Sequence, residues 1–208
     1  MNILVVGESC HDIFNYGNCN RLCPEAPVPV FNSVENVTGG GMAMNVKANL
    51  EALAEHPLVG RPIEVAMHTN LNWRDITKTR FIDIKTNHMF MRLDCNDTSY
   101  GNSSVETIDF EKYDAIIVSD YDKGFLSPGD IEYIISRHDC VFLDTKKILG
   151  EWSLGASFIK ININEFRRSE HWVTPEMKKR MIITLGSEGC EHNGKRYPVP
   201  QVEIKDVS

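Results

Sequence analysis

The 208-residue sequence has no apolar run of about 18 residues, the length a helix needs to cross a bilayer, so no membrane span is expected. It also lacks a basic leader. Met1 to Val6 is a short apolar run that reads as a first strand rather than a secretion signal. Positive charge is scarce: 22 Lys and Arg stand against 29 Asp and Glu, for a net charge of −7. The broad basic footprint of a nucleic-acid-binding protein is therefore absent, and no nucleic-acid partner is expected. A long acidic disordered tail is excluded too, because the charges are spread and aromatics occur throughout. The six cysteines follow no regular framework, which points to reduced thiols in a cytoplasmic protein. Cys19, Cys23 and His11 would suggest zinc only with a second paired ligand set, and none is present at suitable spacing. Repeats, low-complexity tracts and linkers are also missing, so residues 1–208 read as a single domain.

Continuous apolar runs are what the sequence does have: Ile3 to Val6, Ala115 to Val118, Val141 to Leu143 and Met181 to Ile183. Runs without alternation fit strands covered on both faces, as in the parallel sheet of an α/β fold. Helical patterns lie between them. Met42 to Ala54 places Met42, Val46, Leu50 and Leu53 on one side, Ser127-Pro128 opens a helix running to Arg137, and Thr174-Pro175-Glu176 opens another. Two segments break the alternation. Phe14 to Val37 is extended and holds Pro24, Pro27 and Pro29, while Thr79 to Ile84 and Met89 to Arg92 flank Thr86-Asn87-His88 as a hairpin. Together they predict a small β lid, from about 13–38 and 77–94, projecting from the α/β core.

Polar residues cluster just after the predicted strands, where open α/β sheets bind ligands. Asp12 follows the first strand and Ser119-Asp120-Tyr121-Asp122-Lys123-Gly124 the second. Asp144, Lys160 to Glu165, and Thr184 to Gly189 follow the later ones. Each has a plain reading as a cap or a solvated loop, but together they bring acids, amides and hydroxyls to one rim. Thr38-Gly39-Gly40-Gly41 precedes the first helix and reads as a glycine turn beside free helix N–H groups, with Asn45 one turn in. No Gly-Lys-Ser/Thr follows, so it is not a Walker-type phosphate loop.

In this order, the residues resemble the PfkB/ribokinase family of carbohydrate kinases. The resemblance rests on Gly40-Gly41-Met42-Ala43-Met44-Asn45, on Asn162-x-x-Glu165 and on Thr184-Leu185-Gly186-x-x-Gly189. Pro24 to Pro29, Thr77 to Arg80, Arg92-x-Asp94 and Ser119-Asp120-Tyr121-x-Lys123-Gly124 make it most similar to the heptose-7-phosphate kinase domain of bifunctional ADP-heptose synthases. The resemblance implies a ribokinase-like three-layer α/β core, a mainly parallel sheet and a small β lid. It also implies transfer of the γ-phosphoryl group of ATP to a sugar hydroxyl, with Mg2+ as cofactor. Asp12, Gly40, Gly41 and Asn45 would hold the sugar, Lys78 and Arg80 would face its phosphate, and Asp120 and Lys123 would join the substrate side. Asn162 and Glu165 would organise the magnesium and phosphate region, Glu165 acting through water. Thr184, Gly186 and Gly189 would border the nucleotide. Pairing of lids implies a homodimer.

In relatives, the element corresponding to Asp206-Val207-Ser208 leads into Gly-Ala-Gly-Asp, which carries the anion hole and the catalytic base. This chain is therefore expected to be incomplete at its C-terminus, without a catalytic base, and close to inactive alone. A complementing C-terminal fragment would be needed, and one sheet face is expected to be bare. The alternative is a non-catalytic protein that binds sugar phosphates or serves in assembly.

Overall fold

A computed structural model describes residues 1–56, 60, 62–99 and 104–200. The Asp206 junction and the stretch around Leu58 lie outside the described residues. In chain order the strands are β1 (Asn2–Gly7), β2 (Ser9–Asn18), β3 (Asn32–Met42), β4 (Glu64–His68), β5 (Thr77–Asp83) and β6 (Met89–Cys95). Then come β7 (Ala115–Asp120), β8 (Val141–Thr145), β9 (Phe158–Asn162), β10 (Met181–Thr184), β11 (Cys190–His192) and β12 (Lys195–Tyr197). The α-helices are α1 (Ala43–Ala54), α2 (Pro128–Arg137), α3 (Ile163–Ser169) and α4 (Pro175–Arg180).

The apolar runs form the centre of an eight-stranded sheet of order β12-β11-β10-β9-β8-β7-β1-β4. Its members from β4 to β10 pair in parallel, and β11 and β12 add an antiparallel edge. The expected second, smaller sheet has four strands in the order β3-β2-β5-β6. It is wider than the sequence implied. β2 begins at Ser9, directly after β1, so Asp12 stands within a lid strand rather than in a loop. Gly39 to Gly41 are not a turn but the end of β3, paired with Asp12, His11 and Cys10. A glycine run reads as a turn on composition alone; here the missing side chain of Gly41 lets Asp12 and Cys10 of β2 pack close to β3.

Helix starts follow local chemistry. Ser127 Oγ accepts from Asp130 N–H at 3.1 Å, and the Asp130 carboxylate accepts from Ser127 N–H at 2.7 Å, closing a capping box ahead of α2. Thr174 caps α4 through Met177 N–H at 3.2 Å. Helix α1 starts one residue later than the periodicity suggests, and Leu53 is exposed rather than buried.

The core lies on one face of the large sheet. Leu4, Val6, Ile116, Val118, Leu143, Ile159, Ile161 and Ile183 pack with Ile131 and Ile134 of α2 and Met177 of α4. Ile163 and Phe166 of α3 join the same cluster. On the opposite face, α1 is the one helix among the described residues, set against β1, β4 and β7. Beyond it Phe142 and Phe158 stack on one another at 5.0 Å. They border an open apolar groove of about 210 Å³ with Val46, Ile117 and Ile182. A parallel sheet is normally covered on both faces, and this one is covered fully on one.

Adjacent residues of β8 report the asymmetry. Leu143→Ala removes a fully buried side chain and is expected to cost about 2–5 kcal/mol in denaturant melts. Phe142→Ser, on the open face, is expected to cost less than about 1 kcal/mol and to raise solubility. Equal losses at both positions would contradict the one-sided core.

Candidate active site

The lid strands bring the polar groups together by register. Asp12 on β2 lies opposite Lys78 on β5, and Lys78 lies opposite Asp94 on β6. Arg80 lies opposite Arg92. Because side chains alternate along a strand, Asp12, Lys78, Arg80, Arg92 and Asp94 share one face of the lid. That face walls a cavity of about 580 Å³. Cys10, Phe14, Gly39, Gly40, Met42 and Asn45 complete the lid and α1 side, and Asp97, Tyr121 and Lys123 close the other.

Charges are interlocked throughout. Arg80 Nη1 donates to Asp12 Oδ1 at 3.0 Å and lies 4.9 Å over the Phe14 ring. Lys78 Nζ meets Asp97 at 2.6 Å and Asp94 at 3.3 Å. Arg92 holds Asp94 through two bonds of 2.7 and 2.9 Å, and Lys123 Nζ reaches Asp97 at 2.6 Å. Four cations thus face three carboxylates, leaving one positive charge in excess. Hydrogen bonding from Arg92 holds the Asp94 carboxyl below the usual range. Burial pushes Asp97 up, but Lys123 and Lys78 outweigh it and hold that group low as well. The Cys10 thiol, buried and near Asp12, is pushed up to about 11, so it is a neutral wall rather than a nucleophile.

Two glycines are sterically required. A Cβ at Gly41 would stand 2.5 Å from Asp12 Oδ2, and one at Gly40 would stand 2.5 Å from Met44 Cβ. The chain then enters α1 through Met42 at φ 57°, a left-handed conformation that costs a non-glycine residue of order 1–3 kcal/mol. This reversal puts Asn45, in the first turn of α1, on the cavity.

Of the residues expected on the substrate side, Asp12, Gly40, Asn45, Lys78, Arg80 and Lys123 line this cavity, and Gly41 stands directly behind Asp12. Asp120 does not line it. It is buried beneath, accepting from Thr145 Oγ1 and from Lys147 Nζ at 2.8 Å. The residues expected on the nucleotide side also lie outside it. Asn162 and Glu165 sit at the carboxyl end of β9, and Thr184 ends β10 with Gly186 and Gly189 following it, two and three strands away from β7 on the same edge. Asn162-x-x-Glu165 is a capping box: Asn162 Oδ1 accepts from Asn164 and Glu165 N–H at 2.9 Å, and Glu165 Oε2 accepts from Asn162 N–H at 2.7 Å. Glu165 Oε1 takes Lys146 Nζ at 2.7 Å. Both oxygens are thus engaged, and among the described residues no group of three or more His, Cys, Asp or Glu side chains is placed to hold a metal. Direct coordination of Mg2+ by Glu165 does not fit this arrangement.

The sequence reading missed Asp97 as a site residue. It used Arg92 and Asp94 only as marks of resemblance, although hairpin register places them opposite Arg80 and Lys78.

Asp94 and Asp97 titrate below the ordinary aspartate value of about 3.9. The folded chain therefore binds fewer protons there than the unfolded one. Their stabilisation is complete above about pH 5 and is lost as the pH falls through their native values. Asp97→Asn is expected to cost about 1–3 kcal/mol at neutral pH and to flatten the acid limb of a stability–pH curve from urea melts. An unchanged acid limb would contradict the assignment.

No family model matches the chain. Among curated proteins it is 28% identical to the bifunctional protein HldE of a Nitratiruptor species over 254 aligned positions, covering 99% of this chain and 53% of the relative. It is 30% identical to HldE of Caulobacter vibrioides, over 78% of this chain and 39% of that protein. HldE of Vibrio vulnificus is 31% identical over 79% of this chain and 39% of its own. The chain thus spans about half or less of the length of these relatives. Among solved structures, ribokinase from Thermotoga maritima gives a TM-score of 0.57 at 14% identity, covering 99% of this chain and 79% of the other. Phosphofructokinase-2 from Escherichia coli, solved in complex with fructose-6-phosphate, gives 0.64 at 12% identity, covering 99% and 81%. These likenesses, 28–31% identity over 78–99% of the chain, relate it to the HldE proteins, and its fold is that of ribokinase and phosphofructokinase-2.

Proposed function

We propose that this chain is the sugar-binding part of an ATP-dependent kinase that phosphorylates a hydroxyl of a heptose phosphate or a related sugar. The observation that carries the reading is the convergence of Asp12, Asn45, Lys78, Arg80 and Lys123 on one cavity with excess positive charge. Asp12, Asn45 and the Gly40–Gly41 backbone receive sugar hydroxyls, and Lys78 and Arg80 face the phosphate, whose oxygens suit charge-assisted bonds. Asp120 works from beneath, stiffening the loop that carries Lys123. Thr184, Gly186 and Gly189 border ATP, and Asn162 and Glu165 organise its phosphate end. Mg2+, held there through water, supplies charge neutralisation on the phosphates. Relatives in fold have been solved with fructose-6-phosphate, and with ribose and ATP, which supports a sugar and a nucleotide as ligands.

Positioning and charge stabilisation are what such a transfer needs from the protein. A proton acceptor for the hydroxyl is a separate requirement, and Asp12, Asp94 and Asp97 in the cavity are each ion-paired. Two of them are held to low proton affinity, which makes them weak bases. The second sheet face is partly open, and Ser119 Oγ and Asp144 Oδ1 on it are buried without a hydrogen-bond partner among the described residues. Both features support a complementing C-terminal fragment that covers this face and completes the catalytic apparatus. The lid edge strands expose Val34 and Val37 on β3 and Met91 and Leu93 on β6, which favours pairing of two lids in a homodimer. Among the described residues, no helix is long and apolar enough to cross a membrane. The six unpaired cysteines suit a reducing compartment, the cytoplasm.

The full pairing of cavity carboxylates also favours a second reading, a sugar-phosphate-binding protein that transfers nothing. An ATP-dependent phosphorylation assay on heptose 7-phosphate, with and without an added fragment carrying Gly-Ala-Gly-Asp, separates the two. The kinase reading expects at most trace turnover alone, a large rise with the fragment, and about tenfold or greater weakening of sugar-phosphate binding in Lys78→Met. Binding without transfer in both arms would favour the second reading, and ordinary kinase turnover by the chain alone would overturn its dependence on a fragment.

A further inference from the structure

Glu8 stands at the junction of the two sheets, fully buried, in the one-residue step between β1 and β2. One carboxylate oxygen accepts from Tyr121 N–H at 2.7 Å and the other from Lys123 N–H at 3.0 Å. Its backbone carbonyl accepts from Ala43 N–H at 2.8 Å, the first residue of α1. These bonds reach the loop after β7 and the start of α1, both of which supply cavity walls. Tyr121 and Lys123 line the cavity, whereas Glu8 does not. The loop needs such an anchor: between the two held amides Asp122 takes a left-handed φ of 56°, and Gly124 beyond them has φ 99°. A carboxylate is the suitable anchor because it offers acceptors to two converging N–H donors at once.

We propose that Glu8 is a positioning residue of the cavity, its carboxylate fixing the 121–124 loop so that Tyr121 and Lys123 face the bound sugar phosphate. The inference rests on the kinase reading for the identity of the ligand, but not for the two amide bonds. Asp120 on β7 faces Glu8, held in turn by Lys147, and the Tyr121 phenol lies near it from the loop, while the Lys123 ammonium is taken up by Asp97. From α1 and β4 the neighbouring contacts are uncharged: Ala43 N–H on the Glu8 carbonyl, and Asn70 on Ser9 N–H at 2.8 Å. Burial pushes the Glu8 carboxyl up and repulsion from Asp120 adds to it, while the amide bonds from Tyr121 and Lys123 oppose the rise. Protonation removes charge from both amide bonds.

The test is amide NMR on the full chain, combined with calorimetry using heptose 7-phosphate. In the wild type, the Tyr121 and Lys123 amide protons are expected to exchange slowly and to titrate together, with a midpoint above the ordinary glutamate value of about 4.3. In Glu8→Gln, one acceptor becomes a donor. Exchange at these two amides is then expected to rise at least about tenfold, amides of β1 and β7 to keep their rates, and the Kd for heptose 7-phosphate to rise about tenfold. Unchanged exchange in the variant, or unchanged affinity despite faster exchange, would overturn the proposal. If the variant does not fold, the wild-type titration decides: absence of a shared midpoint at the two amides overturns it, and its presence supports it. A wild type that binds no heptose 7-phosphate, with both amides titrating together, would defeat the kinase reading and leave Glu8 as the anchor of the loop.

Discussion

The lid depends on a buried ammonium. Lys78 has 7% of its side chain exposed and survives there because Asp94 and Asp97 face it. An unpaired charge at that depth costs several kcal/mol, so the pairing partners are not optional. The register of β5 against β6 supplies Asp94, and the loop after β6 supplies Asp97, which also takes Lys123 from the far side of the cavity. One cross-strand alignment therefore sets the shape of the lid, the closure of the cavity and the sign of its field. Ion pairs of this kind contribute little net stability compared with an apolar core. Their consequence is specificity: a ligand that enters must replace what the carboxylates give the cations, which a phosphate does and a neutral group does not.

The large sheet plays a different part. Its one-sided core of Ile116, Leu143, Ile159 and Ile183 is rigid enough to hold β1 and β7 fixed, and from their ends come Glu8, Tyr121 and Lys123. Its other face is partly open, with stacked phenylalanines and, beside α1, two buried oxygens without a hydrogen-bond partner among the described residues. In the proposed function, the packed core holds the strands whose ends carry the cavity loop, and the open face is where a covering segment would bring new polar groups to the same strand edge.

Much of the fold was legible because parallel strands buried on both faces leave continuous apolar runs, and β1, β7, β8 and β10 follow those runs closely. Helix starts at Ser127 and Thr174 were legible for an equally local reason, the hydroxyl cap followed by proline. Asn162-x-x-Glu165 was read through resemblance, yet its spacing is that of a capping box, so a helix start alone accounts for its geometry. What could not be read depends on pairing between distant segments. The three glycines looked like a turn because the room that Gly41 leaves for Asp12 and Cys10 on the neighbouring strand appears only once β2 and β3 are side by side. Asp97 carried no periodic signal, and no local pattern marks Glu8, whose two amide partners lie more than a hundred positions away.

The central claim is that this cavity recognises a phosphorylated sugar through Lys78 and Arg80. Calorimetric titration of the chain with heptose 7-phosphate and with the same heptose lacking phosphate tests it most directly, at low and at raised salt. The account predicts measurable binding of the phosphorylated sugar, weakened by salt, and binding at least about tenfold weaker for the neutral one. Equal affinity for the two sugars, or no binding of either, would contradict it.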